Sequence, residues 1–314
     1  MEQFFVALAQ IGIFLVLICV GIIAVKVKIL DGHSLTSVSR LVIQISLPAY
    51  IFINAVNSAT RQSLADSMIV IPLGIAIYML LLVVSMLIEK AFHLQGNRKR
   101  VFRASLIYGN IGFMGIPLVT VLYPDTALLY VSVFTIVDQL FFWTYGVLLT
   151  KPVSDDRRRI SLANFKNLLS PPLIAIILAI IFIIAQIHIP QFFDSALTAI
   201  GNTSMPLALI YIGGVLCISD IRPALRCGEL YTGIIVKMTI LPVICYVVMC
   251  LIGISEDMAG TLAFIVALPG IEMVPMLAKT EGSEGDYAVC AIMMTTIACL
   301  LTLPIVSLCV SLLG

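Results

Sequence analysis

Ten apolar stretches, each close to 20 residues long and laid nearly end to end, constrain this chain more than any single motif. They run over about 4–25, 36–56, 68–92, 101–123, 126–150, 171–189, 196–217, 229–252, 257–278 and 287–313. A helix needs about 20 such residues to cross about 30 Å of hydrocarbon, so each stretch predicts a membrane span. Composition agrees: of 314 residues, 61% are hydrophobic and 11% charged, against roughly 25% charged in soluble domains. A soluble core cannot hide that much apolar surface. The first stretch follows Met1-Glu2-Gln3 with no basic segment before it, which reads as a span rather than a signal peptide. The eight cysteines form no C-x-x-C pair, so neither a metal site nor a disulfide framework is expected.

Orientation follows from Lys and Arg, which are retained on the cytoplasmic side during insertion. With the N-terminus outside and ten spans threaded, sixteen of the eighteen Lys and Arg fall on inner segments, from Lys26 and Lys28 to Lys279. Arg61 alone lies outside, and Lys237 lies within the eighth span. The expectation is a multi-pass protein of the cell (inner or plasma) membrane with both termini outside. The polar stretch 151–170, with Asp155-Asp156-Arg157-Arg158-Arg159 at its centre, reads as a solvated cytoplasmic linker. It separates a first five-span half, 1–150, from a second, 171–314.

Five spans per half force the second half to insert upside down, the inverted-repeat plan of many secondary transporters. Ser46-Leu47-Pro48 in the second span returns as Ser204-Met205-Pro206 in the seventh, 158 residues on. The same offset carries Gly112 and Pro117 of the fourth span onto Gly270 and Pro275 of the ninth. Glycine and proline both weaken a helix, proline by removing a backbone donor. Breaks near mid-span free backbone groups that lipid cannot satisfy, so they must line a cavity or meet a ligand. The fourth and ninth helices are therefore expected to be broken and to cross antiparallel at the midplane. Each would offer a helix N-terminus, with its partial positive charge, to an anion.

The residues Asn110-x-Gly-Phe-Met-Gly-Ile-Pro117-Leu, with Ser46-Leu-Pro48, Lys237-x-x-x-x-Pro242, Pro269 and Thr302-Leu-Pro304, resemble the auxin efflux carrier family. That family includes plant PIN-type auxin carriers and prokaryotic malate and malonate permeases. The resemblance covers essentially the whole chain and is nearest to the short, prokaryotic-type members, because only about 20 residues join the halves. It implies an all-α membrane protein with crossed broken helices, NhaA-like and bile-acid-transporter-like. It also implies a scaffold and a transport domain moving in an elevator-like cycle, carboxylate-bearing substrates and a homodimer.

The candidate substrate-binding residues are accordingly Asn110, Gly112, Gly115 and Pro117 in the fourth span and Pro269, Gly270 and Pro275 in the ninth. Pro48 and Pro206 are candidate structural helix breaks. Ionisable residues inside spans are costly and functional by default, which singles out Glu272, Asp138 and Lys237. Glu272 sits in the ninth-helix break and Asp138 at mid-span in the fifth. No cofactor is expected; the coupling ion is open between H+ and Na+. The expected partners are a small organic anion, the lipid bilayer and a second copy of the chain, with no nucleic acid. Two other readings stand behind this one. One is a sodium- or proton-coupled symporter of another organic anion, such as a sterol acid. The other is an intramembrane enzyme, which lacks support because neither H-E-x-x-H nor G-x-S-x-G occurs.

Overall fold

A computed structural model describes residues 2–58, 60–153, 171–218, 222, 224–271 and 273–313. Among the described residues, twelve helical segments make up the frame of the fold. They are α1 (Glu2–Lys26), α2 (Gly32–Asn57), α3 (Leu64–Ala91), α4 (Gly96–Ile107), α5 (Ile116–Leu122) and α6 (Ala127–Thr150). After the linker come α7 (Pro171–Ala185), α8 (Gln191–Ile218), α9 (Gly228–Leu251), α10 (Glu256–Ala267), α11 (Met273–Thr280) and α12 (Gly285–Leu313). Among the described residues, six helices are long and apolar enough to cross a membrane: α2, α3, α6, α8, α9 and α12. Shorter apolar helical stretches occupy Gly12–Lys26 of α1 and Ile174–Ala185 of α7. The predicted fourth and ninth spans are interrupted, as α4 with α5 and α10 with α11.

The outside of the molecule is as apolar as its core. Val83, Leu87, Ile181 and Leu301 stand exposed, while Phe14, Val42, Leu118 and Leu262 are buried. Water would not tolerate that surface, whereas lipid presents nothing for it to avoid.

Helix packing divides into two groups. In one, α1 packs on α8, and α2 packs on α7 and α8. In the other, α3 packs on α4 and α6, α10 on α6 and α9, and α12 on α4 and α11. The groups meet where α1 touches α5 and α12 and where α2 touches α6. Close approach of α1 and α8 depends on Gly21 and Gly213. A Cβ on the first would strike the carbonyl of Ile210, and on the second that of Ile18. Small residues let membrane helices pack backbone to backbone in this way.

Proline shapes this fold mostly by widening helices. Three five-residue π turns, Val42–Ser46, Ile111–Gly115 and Val236–Ile240, end two residues before Pro48, Pro117 and Pro242. A proline has no N–H to donate and its ring crowds the carbonyl four residues back. A π turn shifts the ladder to i→i−5 and absorbs both problems. Accordingly the amide of Leu47 bonds to Val42 O, and that of Gly115 to Asn110 O at 3.0 Å. Pro48 thus widens a continuous helix, whereas Pro206 follows a real turn between Gly201 and Ser204. The two positions match in sequence and differ in structure.

Candidate functional site

The first break covers Tyr108–Asn110 and the second Leu268–Ile271, and the two lie against each other. Gly109 and Gly270 form an isolated antiparallel bridge. The Asn110 amide donates to Pro269 O at 2.8 Å, and the Ile271 amide donates to Tyr108 O at 3.1 Å. Two interrupted helices therefore satisfy each other's freed backbone inside the protein, which lipid could not do. Two further bonds complete the crossing. The buried Lys237 ammonium donates to the carbonyl of Leu268, and the Gly270 amide donates to Thr295 Oγ1 at 3.2 Å.

Glycine is required at the second break by space. A Cβ on Gly270 would press against Ile292 Cδ1 and sit 2.8 Å from the Ser105 carbonyl. At the first break the fit is looser, since a Cβ on Gly109 would approach Leu268 Cβ at 3.3 Å.

The sequence-predicted residues distribute unevenly around this point. Asn110, Pro269 and Gly270 are in the crossing and buried. Gly112, Gly115 and Pro117 are not in the break; they belong to the helical stretch after it, where the π turn accommodates Pro117. The chain opens three residues earlier than the Gly112–Pro117 spacing suggests, because Gly109 is the residue that meets Gly270. Gly112 instead faces α2: a Cβ there would lie 3.0 Å from Leu47 Cδ2. Pro275 is the third residue of α11, a first-turn position that costs the helix no bond. Glu272 lies outside the described residues.

Asp138 is buried near the middle of α6 with partners of its own. Tyr78 of α3 donates its hydroxyl to Asp138 Oδ1, and Gln139 Nε2 donates to Oδ2 at 3.0 Å. Trp143 Nε1 in turn donates to Gln139 Oε1 at 3.1 Å. The Tyr78 ring stacks on Phe141 at 5.0 Å and leans on Tyr108 at 5.9 Å. Asp138 and Lys237 thus flank the crossing from opposite halves without pairing.

Four charged residues were not weighed as candidates from the sequence. Glu89 accepts from Arg103 at 2.8 and 2.5 Å, and Glu229 accepts from Arg98 at 3.0 and 2.5 Å. Both carboxylates are buried. Together they clamp the start of α4, the helix that leads into the first break, to α3 and α9. At span ends such residues read as flanking charge; the pairing of acid and base across helices is visible only in the fold.

A comparison with protein families identifies the chain's family. The family model described as Membrane transport protein matches residues 5–307. The chain belongs to that family, which is the auxin efflux carrier family. Its members are transporters and not enzymes. A comparison with curated proteins finds no match. In this transporter the crossing is closed: its backbone groups bond one another, Lys237 and Thr295. The crevice lined by Ala55, Leu64, Leu129, Ile176, Ala179 and Ile183 lies elsewhere, between α2, α6 and α7.

Proposed function

We propose that this transporter carries a small organic anion bearing a carboxylate, such as malate or malonate, and binds it where the two breaks cross. The observation that carries the reading is the Gly109–Gly270 bridge. It joins one interrupted helix from each half, with Asn110 buried beside it. Asn110 can donate to a carboxylate without burying a second charge. Lys237 supplies a positive group at the same place and lowers the cost of bringing an anion in.

In this reading the chain has ten spans in two inverted halves, counting α1, α7 and the two interrupted helices with the six long ones. The basic residues put both termini outside. The group formed by α1, α2, α7 and α8 serves as scaffold, and the group holding the crossing moves against it in an elevator-like cycle. A second copy of the chain would brace the scaffold. Gly112, at the α2 face, and Gly115 and Pro117 line the path next to the site. Glu272, four residues beyond Leu268 in sequence, is a charge-bearing group of the same region.

Uptake of radiolabelled malate and malonate into proteoliposomes tests the proposal. Asn110→Ala should weaken apparent affinity about 5- to 150-fold, the effect of losing roughly 1–3 kcal/mol of hydrogen bonding to a charged group. Unchanged affinity in a folded variant removes the crossing as the binding site. A second reading, an ion-coupled symporter, is favoured by one observation: a buried acid, Asp138, sits beside the crossing and accepts from the neutral donors Tyr78 and Gln139.

A further inference from the structure

We propose that Asp138 and Tyr78 form a proton-binding site whose state is relayed to the crossing through Tyr108. This deepens the transport reading by naming the coupling ion, and it rests on that reading only where uptake is measured.

The geometry begins with a π turn that no proline explains. Phe142–Gly146 interrupts α6 with no proline inside that helix; the next, Pro152, lies six residues beyond the turn rather than two. The Tyr108 hydroxyl donates at 2.9 Å to the carbonyl of Phe141, the residue just before the widened turn. Gly146 makes room for the same ring, since a Cβ there would lie 2.9 Å from Tyr108 Cε2. Tyr108 is also the first residue of the first break, and its own carbonyl accepts from Ile271. One residue thus joins the π turn of α6 to the paired backbones. π turns without a proline often mark functional sites.

Asp138 lies one turn before this π turn. Both hydrogen bonds to its carboxylate come from neutral donors, Tyr78 and Gln139. Among the described residues, the titratable groups facing this cluster are phenols: Tyr78 from α3, Tyr108 from the break and Tyr145 from α6 itself. Of these, Tyr145 touches a basic group, since its hydroxyl accepts from Arg103 at 2.8 Å. Donors favour the charged carboxylate, while the aromatic wall of Phe134, Phe141 and Tyr108 around Tyr78 removes water and favours the neutral acid. An acid balanced this way can exchange a proton. When it takes one from water, the carboxyl becomes a donor and the Tyr78 oxygen an acceptor. Tyr78 then rearranges against Tyr108, and through it against the bridge. A hard cation such as sodium would instead need several oxygen ligands at one point; among the described residues this cluster offers the carboxylate and the Tyr78 phenol, while Gln139 turns Nε2 to Asp138 and Oε1 to Trp143.

The chain holds a single tryptophan, and it is Trp143, bonded to Gln139. Its fluorescence in lipid nanodiscs, titrated between about pH 4 and 9, should report the site directly. The wild type should show one sigmoidal transition that Asp138→Asn abolishes. Tyr78→Phe, which removes a donor to the charged form, should move the midpoint to higher pH. Absence of the transition in the wild type, its survival in Asp138→Asn or an unmoved midpoint in Tyr78→Phe would each overturn the site. Should Asp138→Asn fail to fold, Tyr78→Phe decides alone. Malate uptake into proteoliposomes separates this from the transport reading. Stimulation of uptake by an inward proton gradient, lost in Asp138→Asn, supports coupling, and uptake indifferent to the gradient overturns it. An Asp138-dependent fluorescence transition without any malate or malonate uptake upholds the site and refutes the proposed substrate class.

Discussion

The two breaks that meet at the crossing bond each other's backbone, yet they are held by opposite chemistry. The first, at Tyr108–Asn110, is tied to an acid: Tyr108 bonds the π turn that follows Asp138 and leans on the tyrosine that caps it. The second, at Leu268–Ile271, is tied to a base, since Lys237 donates to the carbonyl of Leu268. They differ in tightness too. A Cβ on Gly270 would lie 2.8 Å from a main-chain carbonyl, whereas on Gly109 the nearest atom, Leu268 Cβ, would lie at 3.3 Å. Two interrupted helices that pair with each other thus carry unlike arms. The second arm sets the position of the crossing, and the first, with its looser glycine and polar network, is the one able to respond.

Breaking the second arm should do the most harm. Lys237→Met removes the only side-chain donor to Leu268 O described here and takes positive charge from the proposed anion site. An orphaned buried carbonyl costs about 1–3 kcal/mol. Uptake of malate should fall at least about tenfold, equivalent to roughly 1.4 kcal/mol in barrier, with thermal stability lowered as well. Near-normal uptake would show that the ammonium neither supports the break nor attracts the substrate.

The glycine pair compares the arms on equal terms. Gly270→Ala forces a carbon against the Ser105 carbonyl and Ile292, an overpacking that typically costs about 1–3 kcal/mol. Gly109→Ala meets Leu268 Cβ at 3.3 Å and the carbonyls of Ile265 and Pro269 at 3.5 and 3.8 Å, and should cost about 1 kcal/mol, the lower end of that range. Thermal unfolding of both variants in the same lipid checks the order. Equal losses, or the reverse order, would abolish the claimed difference in tightness.

That the fourth and ninth helices would be interrupted was legible, because glycine and proline weaken helices wherever they stand. The place of the interruption was not. Gly109, Gly112 and Gly115 all lie in one short stretch, and only the partner backbone decides which of them meets Gly270. The repeat offset pointed at Gly112, and the π turn before Pro117 shows why that spacing misled: the proline is absorbed locally. Lys237 and Asp138 stood out as charges inside spans, but their partners did not. A main-chain carbonyl such as that of Leu268 leaves no mark in a sequence, and Tyr78 looks like one more aromatic in an apolar run. The clamps Arg98–Glu229 and Arg103–Glu89 join residues on different helices, 131 and 14 positions apart, so no helical spacing announces them.

The smallest effect is expected from Pro117→Ala, and it tests whether the bridge or the proline makes the first break. With alanine at 117, the new amide can seek the carbonyl of Phe113, and the turn Ile111–Gly115 can tighten from π to α. The Asn110 carbonyl, which now accepts from both Met114 and Gly115 at 3.2 and 3.0 Å, would keep only one of them. The bonds from Asn110 to Pro269 and from Ile271 to Tyr108 lie on the other side of that carbonyl and need not change. Uptake should therefore drop by less than about threefold, under roughly 0.7 kcal/mol in barrier, with malate affinity held. A collapse as deep as that of Lys237→Met would mean that the widened turn, and not the Gly109–Gly270 pairing, keeps the helix open. The response of the first arm would then originate in the helix after the break rather than in the network around Tyr108.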